Sequence, residues 1–220
     1  MITLYVVRHG ETVDNLEGRI QGHLDSPLTD LGQRQAQAAA ERLASEQFAA
    51  AYSSDLGRAI ATAEIITKPH NLPIQTTPLL REAYLGAVQG LKRAEFEERY
   101  PEQYRLWRQD SITNRPPEAE RLEDVIEKCR TFIARVIDER EDGDKVLVVV
   151  HGGSLRGLIC AACRLPVTFY RCIRTANASV SIIDVGDRPA LWLLNDTCHL
   201  ESLKVTEEES DNVFGYRISP

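Results

Sequence analysis

The chain has 220 residues, of which 43% are hydrophobic, and 26 Lys and Arg face 33 Asp and Glu for a formal net charge of -7. That length buries one full α/β core without requiring a second domain, and the acidic balance argues against nucleic acid or an anionic membrane as partner. No apolar run approaches membrane-spanning length and the N-terminus has no basic-then-apolar leader, so a cytoplasmic protein is expected.

In chain order, Leu4 to Val7 is an apolar, β-branched run that predicts a buried strand, halted at Arg8-His9-Gly10. Open α/β sheets hold their ligands at such strand ends. Arg8 offers fixed donors to an anion, His9 can act as a nucleophile, and Gly10 lets the backbone turn or approach closely. From Gly10 to Thr29 no period is visible. The expected loop carries Asn15, Arg19, Gln21 and His23, a donor-rich set; His23 receives no role. A helix is predicted from Thr29-Asp30, with Gln33 completing a capping box and Ala36, Ala39, Ala40 and Leu43 forming its apolar face.

Phe48 to Ser53 reads as a short strand and Ser53-Ser54-Asp55 as a turn and cap. The helix of Leu56, Ala59, Ile60 and Ala63 follows, with Arg58 in its first turn, and stops before Pro69. Leu72 to Leu80 predicts a short edge strand, and Leu80 to Gly86, containing Glu82, has no helical period. Lys92 to Asp110 reads as a helix with an aromatic stripe of Phe96, Tyr100, Tyr104 and Trp107. It interrupts the strand–helix rhythm and is expected to roof the site.

Arg115-Pro116-Pro117 breaks the chain before a long helix whose face is Leu122, Val125, Ile126, Cys129, Phe132, Ile133, Val136 and Ile137. Lys145 to Val150 is a second buried-strand run, and it also ends in a histidine, His151, followed by Gly152-Gly153. Ser154 is expected to cap a helix running to about Cys163, placing His151 at a helix N-terminus suited to anions. Ser179 to Asp184 and Leu191 to Leu194 predict two further strands, and the acidic tail from Glu201, with Glu207-Glu208-Glu209, a solvated terminus. The five cysteines (Cys129, Cys160, Cys163, Cys172, Cys198) make no metal pattern. Cys160 and Cys163 are expected as buried free thiols, in a reducing cytosol.

Arg8-His9-Gly10-Glu11-Thr12, Asn15, Gly18-Arg19, Gln21-Gly22, Asp25-Ser26-Pro27-Leu28-Thr29, Gly32 and Gln35-Ala36 resemble the opening signature of the histidine phosphatases, the superfamily that includes cofactor-dependent phosphoglycerate mutases. The resemblance continues through Ser53 to Ala59, Glu82 and His151 to Arg156, ending at about His199-Leu200. It implies a phosphoglycerate mutase-like, three-layer α/β sandwich whose mostly parallel sheet is flanked by helices. Residues 1–200 would form a single domain with a helical insertion at about 83–117, followed by a tail at 201–220.

The implied roles are a phosphohistidine nucleophile at His9, charge stabilisation by Arg8, Arg58 and His151, and proton donation to the leaving oxygen by Glu82. Asn15, Gln21, Gly22, Arg93 and Gly152 are the implied substrate-binding residues. Neither cofactor nor metal is expected, and the implied partner is a small phosphorylated metabolite; a homodimer is left open. Arg93, Trp107 and Arg108 resemble the mutase pattern. Gln109, Gly153 (where mutases typically carry asparagine), Asn177-Ala178-Ser179-Val180 and the short Asp110–Leu122 stretch favour a metal-independent phosphomonoesterase. The alternatives are a mutase and a non-catalytic phosphate-ester sensor on the same fold. Pro116 to Leu122 departs from the Gly-Gly-Glu-Ser-Leu usual in phosphatases.

Overall fold

A computed structural model describes residues 1–203. Its centre is a six-stranded sheet of β1 (Ile2–Arg8), β2 (Ala50–Ser54), β3 (Ile74–Thr77), β4 (Lys145–Val150), β5 (Val180–Val185) and β6 (Ala190–Asp196). The order across the sheet is β3-β2-β4-β1-β5-β6. β1, β4, β2 and β3 run parallel, while β5 pairs antiparallel with β1 and β6 antiparallel with β5. The sheet is therefore mixed, with a parallel majority, and β3 is the edge strand expected from Leu72 to Leu80.

β1 and β4 are apolar almost throughout because both faces are covered. Leu4, Val6, Val146 and Val148 face the core shared with α6 (Leu122–Glu139) and α7 (Gly152–Ala162). Tyr5, Val7, Leu147 and Val149 face α2 (Asp30–Leu43) and α3 (Gly57–Thr67), through Ala39, Ala40, Leu43, Ala59, Ala63 and Ile66. The two-residue alternation of strand side chains thus divides one continuous apolar run between two helical layers.

Several local expectations are corrected. The loop from Gly10 contains a one-turn helix, α1 (Val13–Leu16), whose N-cap Thr12 accepts from the Asn15 amide at 3.2 Å. Thr29 alone caps α2, accepting from Gly32 N at 2.9 Å, with Asp30 already inside the helix and Gln33 outside any capping box. The stretch Lys92 to Asp110 is two helices, α4 (Arg93–Arg99) and α5 (Pro101–Gln109). Pro101 excludes the helical conformation at the residue before it, and Tyr100 sits at φ -137°, ψ 61°.

α7 begins at Gly152 with His151 as its N-cap. Ser154 lies one turn inside, and its Oγ accepts from His151 N at 3.0 Å. Ile137, assigned to the buried face of α6, is 40% exposed. The five cysteines are free thiols; Cys129 and Cys160 are buried, whereas Cys163 is half-buried and Cys172 and Cys198 are exposed. The acidic tail beyond Leu203 lies outside the described residues.

Candidate active site

β1 and β4 are in register with Arg8 opposite Val150, so the next residue of each strand leaves the sheet at the same level. Those residues are His9 and His151. Their ring centroids are 5.1 Å apart, close to the spacing of neighbouring strands, at an interplanar angle of 57°. His9 N donates to Val150 O at 2.9 Å, continuing the ladder one step beyond the strand. Both histidines are buried, as are Arg8 and Arg58.

Gly10 is needed for close approach: a Cβ built there would lie 2.4 Å from the carbonyl oxygen of Gly32 in α2. The turn this permits brings the Gly10 carbonyl over the His9 ring, where Nδ1–H donates to it at 2.8 Å. With the proton on Nδ1, Nε2 carries the lone pair. Burial, followed by the charges of Arg58 and Arg8, holds the His9 pKa well below the usual imidazole value. Burial and then Arg58, His9 and Arg8 do the same to His151. Among the described residues neither ring nitrogen of His151 has a hydrogen-bond partner.

The guanidinium groups are anchored to backbone carbonyls. Arg8 Nη1 donates to Thr175 O at 2.5 Å. Arg58 donates to Leu24 O and Gly22 O, each at 2.8 Å, leaving its buried Nε without a partner among the described residues. Asp25 completes the setting of Arg58: its carboxylate accepts from Gly57 N and Arg58 N at the start of α3 and from Arg58 Nη1 at 3.3 Å. Gly22, expected at the substrate, supplies here the carbonyl that orients Arg58. A surface hollow of about 630 Å³ lies outside this corner, against Asp25, Arg58 and Ile65, and includes neither histidine.

Asn15 and Gln21 converge on Thr12. Asn15 Oδ1 accepts from Thr12 N at 3.2 Å and from Asn177 Nδ2 at 3.2 Å, and Asn177 also donates to His9 O at 3.1 Å. Gln21 Nε2 donates to Thr12 Oγ1 at 2.8 Å, while its buried Oε1 has no partner among the described residues. Gly152 packs against Arg8 and Thr175, with the Thr175 hydroxyl 3.1 Å from where a Cβ would be. Arg93 opens α4 two residues after Leu91, whose carbonyl accepts from Ile20 N just before Gln21.

Glu82 reaches the start of α7: Oε2 accepts from Gly153 N at 2.9 Å and Oε1 from Ala83 N at 2.7 Å. A Cβ at Gly153 would lie 1.9 Å from Glu82 Oε1 and 2.7 Å from the Tyr170 hydroxyl, so only glycine leaves room for both. His23, which had no assigned role, donates from Nε2 to the Glu82 carbonyl at 2.8 Å and supports it from behind. Thr12, Asp25, Thr175 and Tyr170 were not singled out by sequence. Thr12 and Asp25 lie within the motif that carried the resemblance; Thr175 and Tyr170 give no local signal. Among the described residues no group of three or more His, Cys, Asp or Glu side chains is arranged to hold a metal ion, and no helix is long and apolar enough to cross a membrane.

The arrangement can bind a compact dianion between two neutral imidazoles and two fixed guanidiniums, with a carboxyl group to one side. Comparison with known proteins gives a consistent result. The family model described as histidine phosphatase superfamily (branch 1) matches residues 4–197. The chain is 38% identical over 203 residues to phosphoglycerate mutase-like protein 4 of Arabidopsis thaliana, covering 90% of this chain and 86% of that protein. It superimposes on a mycobacterial glucosyl-3-phosphoglycerate phosphatase with a TM-score of 0.82 at 34% identity, covering 89% of this chain and 99% of the other. Bacillus stearothermophilus YhfR superimposes with a TM-score of 0.85 at 34% identity, covering 91% and 100%.

Proposed function

The chain belongs to the histidine phosphatase superfamily, branch 1, and from that premise we propose that it is a metal-independent phosphomonoesterase acting on a small phosphorylated metabolite in the cytoplasm. The observation that carries this reading is the pinned His9 ring, buried and neutral, with Nδ1–H committed to Gly10 O at 2.8 Å. A nucleophilic imidazole must keep one nitrogen unprotonated, and this geometry reserves Nε2 for the task.

In the first step Nε2 forms the bond to phosphorus as the ester P–O bond breaks. Arg8, Arg58 and His151 stabilise charge on the equatorial oxygens, and fixed donors of this kind need no reorganisation during transfer. The unpartnered nitrogens of His151 support this role, because buried polar groups without partners are costly and a phosphoryl oxygen would satisfy one of them. Glu82, held at the start of α7, is the general acid that gives a proton to the leaving alkoxide. It then takes a proton from the water that attacks phosphohistidine, releasing inorganic phosphate and restoring neutral His9.

The mutase reading has support in the mutase-like name of the Arabidopsis relative. Hydrolysis is favoured here by Gly153, where the asparagine typical of mutases would collide with Glu82. The deciding experiment incubates the protein with a phosphomonoester and separately with 3-phosphoglycerate plus 2,3-bisphosphoglycerate. Inorganic phosphate release, with an acid-labile phosphoryl group trapped on His9, is expected. Interconversion of phosphoglycerates without net phosphate release would establish the mutase, and binding without any turnover would leave a sensor.

A further inference from the structure

The chemistry above assigns no task to His199, a half-buried histidine on the 3-10 turn Cys198–Leu203 that follows β6. The bland account of such a residue is an ion pair with Asp196. That carboxylate is already engaged, pairing with Arg42 of α2 and accepting from Cys198 N at 2.9 Å. His199 turns instead to the backbone, and its Nε2–H donates to Ala178 O at 3.0 Å. Burial holds its pKa below the ordinary imidazole value, so the ring is neutral and donates through that one nitrogen. The bare Nδ1 is buried without a partner among the described residues, a cost that a residue present only to fill space would not carry.

The carbonyl that His199 takes belongs to a strained residue. Ala178 has φ of 53°, in the left-handed region that side chains rarely enter. Such a conformation persists only where its surroundings over-determine it. Here both sides of the residue are held: Ala178 N donates to Arg8 O at 3.1 Å and to His9 O at 3.2 Å, and Ala178 O accepts from His199. Asn195 of β6 holds the same turn at a second point, its Oδ1 accepting from Ala176 N at 2.5 Å. The turn in its place grips the backbone of the nucleophile. His9 O receives Asn177 Nδ2 at 3.1 Å besides Ala178 N. Arg8 is fastened at both ends, its N–H donating to Ser179 O at 3.2 Å and its Nη1 to Thr175 O at 2.5 Å.

We propose that His199 is a positioning residue for His9, acting through the Ala178 carbonyl to lock the turn from Thr175 to Ser179 against Arg8 and His9. The inference rests on the phosphomonoesterase reading and deepens it. The Gly10 carbonyl sets the rotation of the His9 ring, and this turn sets the backbone from which the ring projects. An attacking nitrogen has little tolerance, since a displacement of about 1 Å can cost on the order of 10²-fold in rate. Without the His199 bond Ala178 is free to relax toward negative φ, which draws its N–H and Asn177 away from His9 O. Arg58 and His151 are anchored outside the turn, so the phosphoryl group stays bound while the attack slows.

The test uses three substitutions. His199→Gln sets an amide donor near the place of Nε2, His199→Asn sets the same group near Nδ1 and short of Ala178 O, and His199→Phe keeps a ring without a donor. Each is assayed on p-nitrophenyl phosphate and glycerol 3-phosphate, with a melting curve to establish the folded fraction. His199→Phe and His199→Asn should lower kcat by about 10- to 100-fold on both esters alike, with KM changing by less than about 3-fold. His199→Gln should recover most of that loss. A purely structural residue would lower the melting temperature and leave kcat per folded molecule intact, and that result would overturn the inference. Equal losses in His199→Gln and His199→Asn, or a raised KM with kcat held, would do the same. Should His199→Phe fail to fold, the Gln and Asn pair decides, because the two differ only in reach. A wild type inert toward both esters would sink the phosphomonoesterase reading and this inference with it, whereas wild-type turnover that His199→Asn leaves unchanged sinks this inference alone.

Discussion

Gly153→Ala is the smallest change that should separate the acid from the phosphate-binding groups. The added Cβ would sit 1.9 Å from Glu82 Oε1, and ordinary contact begins near 3.5 Å, so the carboxyl group must retreat by roughly 1.5 Å. That movement breaks its 2.9 Å bond from Gly153 N and draws it away from the leaving oxygen. Misplacement by about 1 Å can cost on the order of 10²-fold in rate, which is also the lower end of what a lost general acid costs. An alkyl alkoxide needs the proton, whereas p-nitrophenolate leaves readily without it. Gly153→Ala should therefore reduce kcat/KM for an alkyl phosphate by on the order of 10²-fold and for p-nitrophenyl phosphate by much less. Stability should hold, because alanine gains up to about 1 kcal/mol of helix propensity over glycine inside α7, offsetting part of the crowding. The assay is kcat/KM for both esters, with a thermal melt as control. Losses of the same size on both esters would mean that the substitution harmed the phosphate half, and the assignment of Glu82 would fail.

His9→Asn should abolish turnover and the trapped phosphoryl group while keeping the melting temperature within a few degrees; residual turnover near wild-type level would remove His9 from the mechanism. Activity should survive exhaustive EDTA treatment, and loss of activity restored by Mg²⁺ would contradict the metal-free chemistry. The two buried histidines also predict an acid-sensitive fold. Their native pKa values lie well below the unfolded value of about 6.5, so the unfolded chain binds more protons below that pH and stability must fall as pH falls. Stability should be complete above about pH 7 and decline from about pH 6.5 toward the native pKa values, and His151→Gln should flatten the decline. A melting temperature dropping as steeply in that variant would refute the assignment.

What was legible in the sequence was whatever rests on strands. β1 and β4 are buried on both faces, so they appear as apolar runs, and the polar residues that end them, Arg8-His9 and His151, stand out against that background. Arg58 was legible for a related reason, lying one turn beyond a strand. Tyr170 was hidden because its surroundings come from segments far apart in the chain, and a lone tyrosine has no period to betray it. The break at Tyr100 escaped notice because the aromatic stripe on either side of Pro101 keeps helical spacing through the interruption. Thr12 could have been read: a threonine followed three residues later by an asparagine is a short-helix cap, and here that cap also carries Asn15 and Gln21.

The register that sets Arg8 opposite Val150 has a thermal consequence. His9 and His151 ride on the two central strands of the sheet, the part of an α/β fold that opens last, whereas Arg115 and Tyr170 sit on a loop and a 3-10 turn, which open at much lower free energy. Warming or dilute urea should thus loosen the Tyr170 corner beside Glu82 before it disturbs the two histidines. Amide exchange at Ala87 and Ala119 should precede that at Val7 and Val150, so the surroundings of Glu82 would open while the strand ends that carry His9 and His151 stay closed.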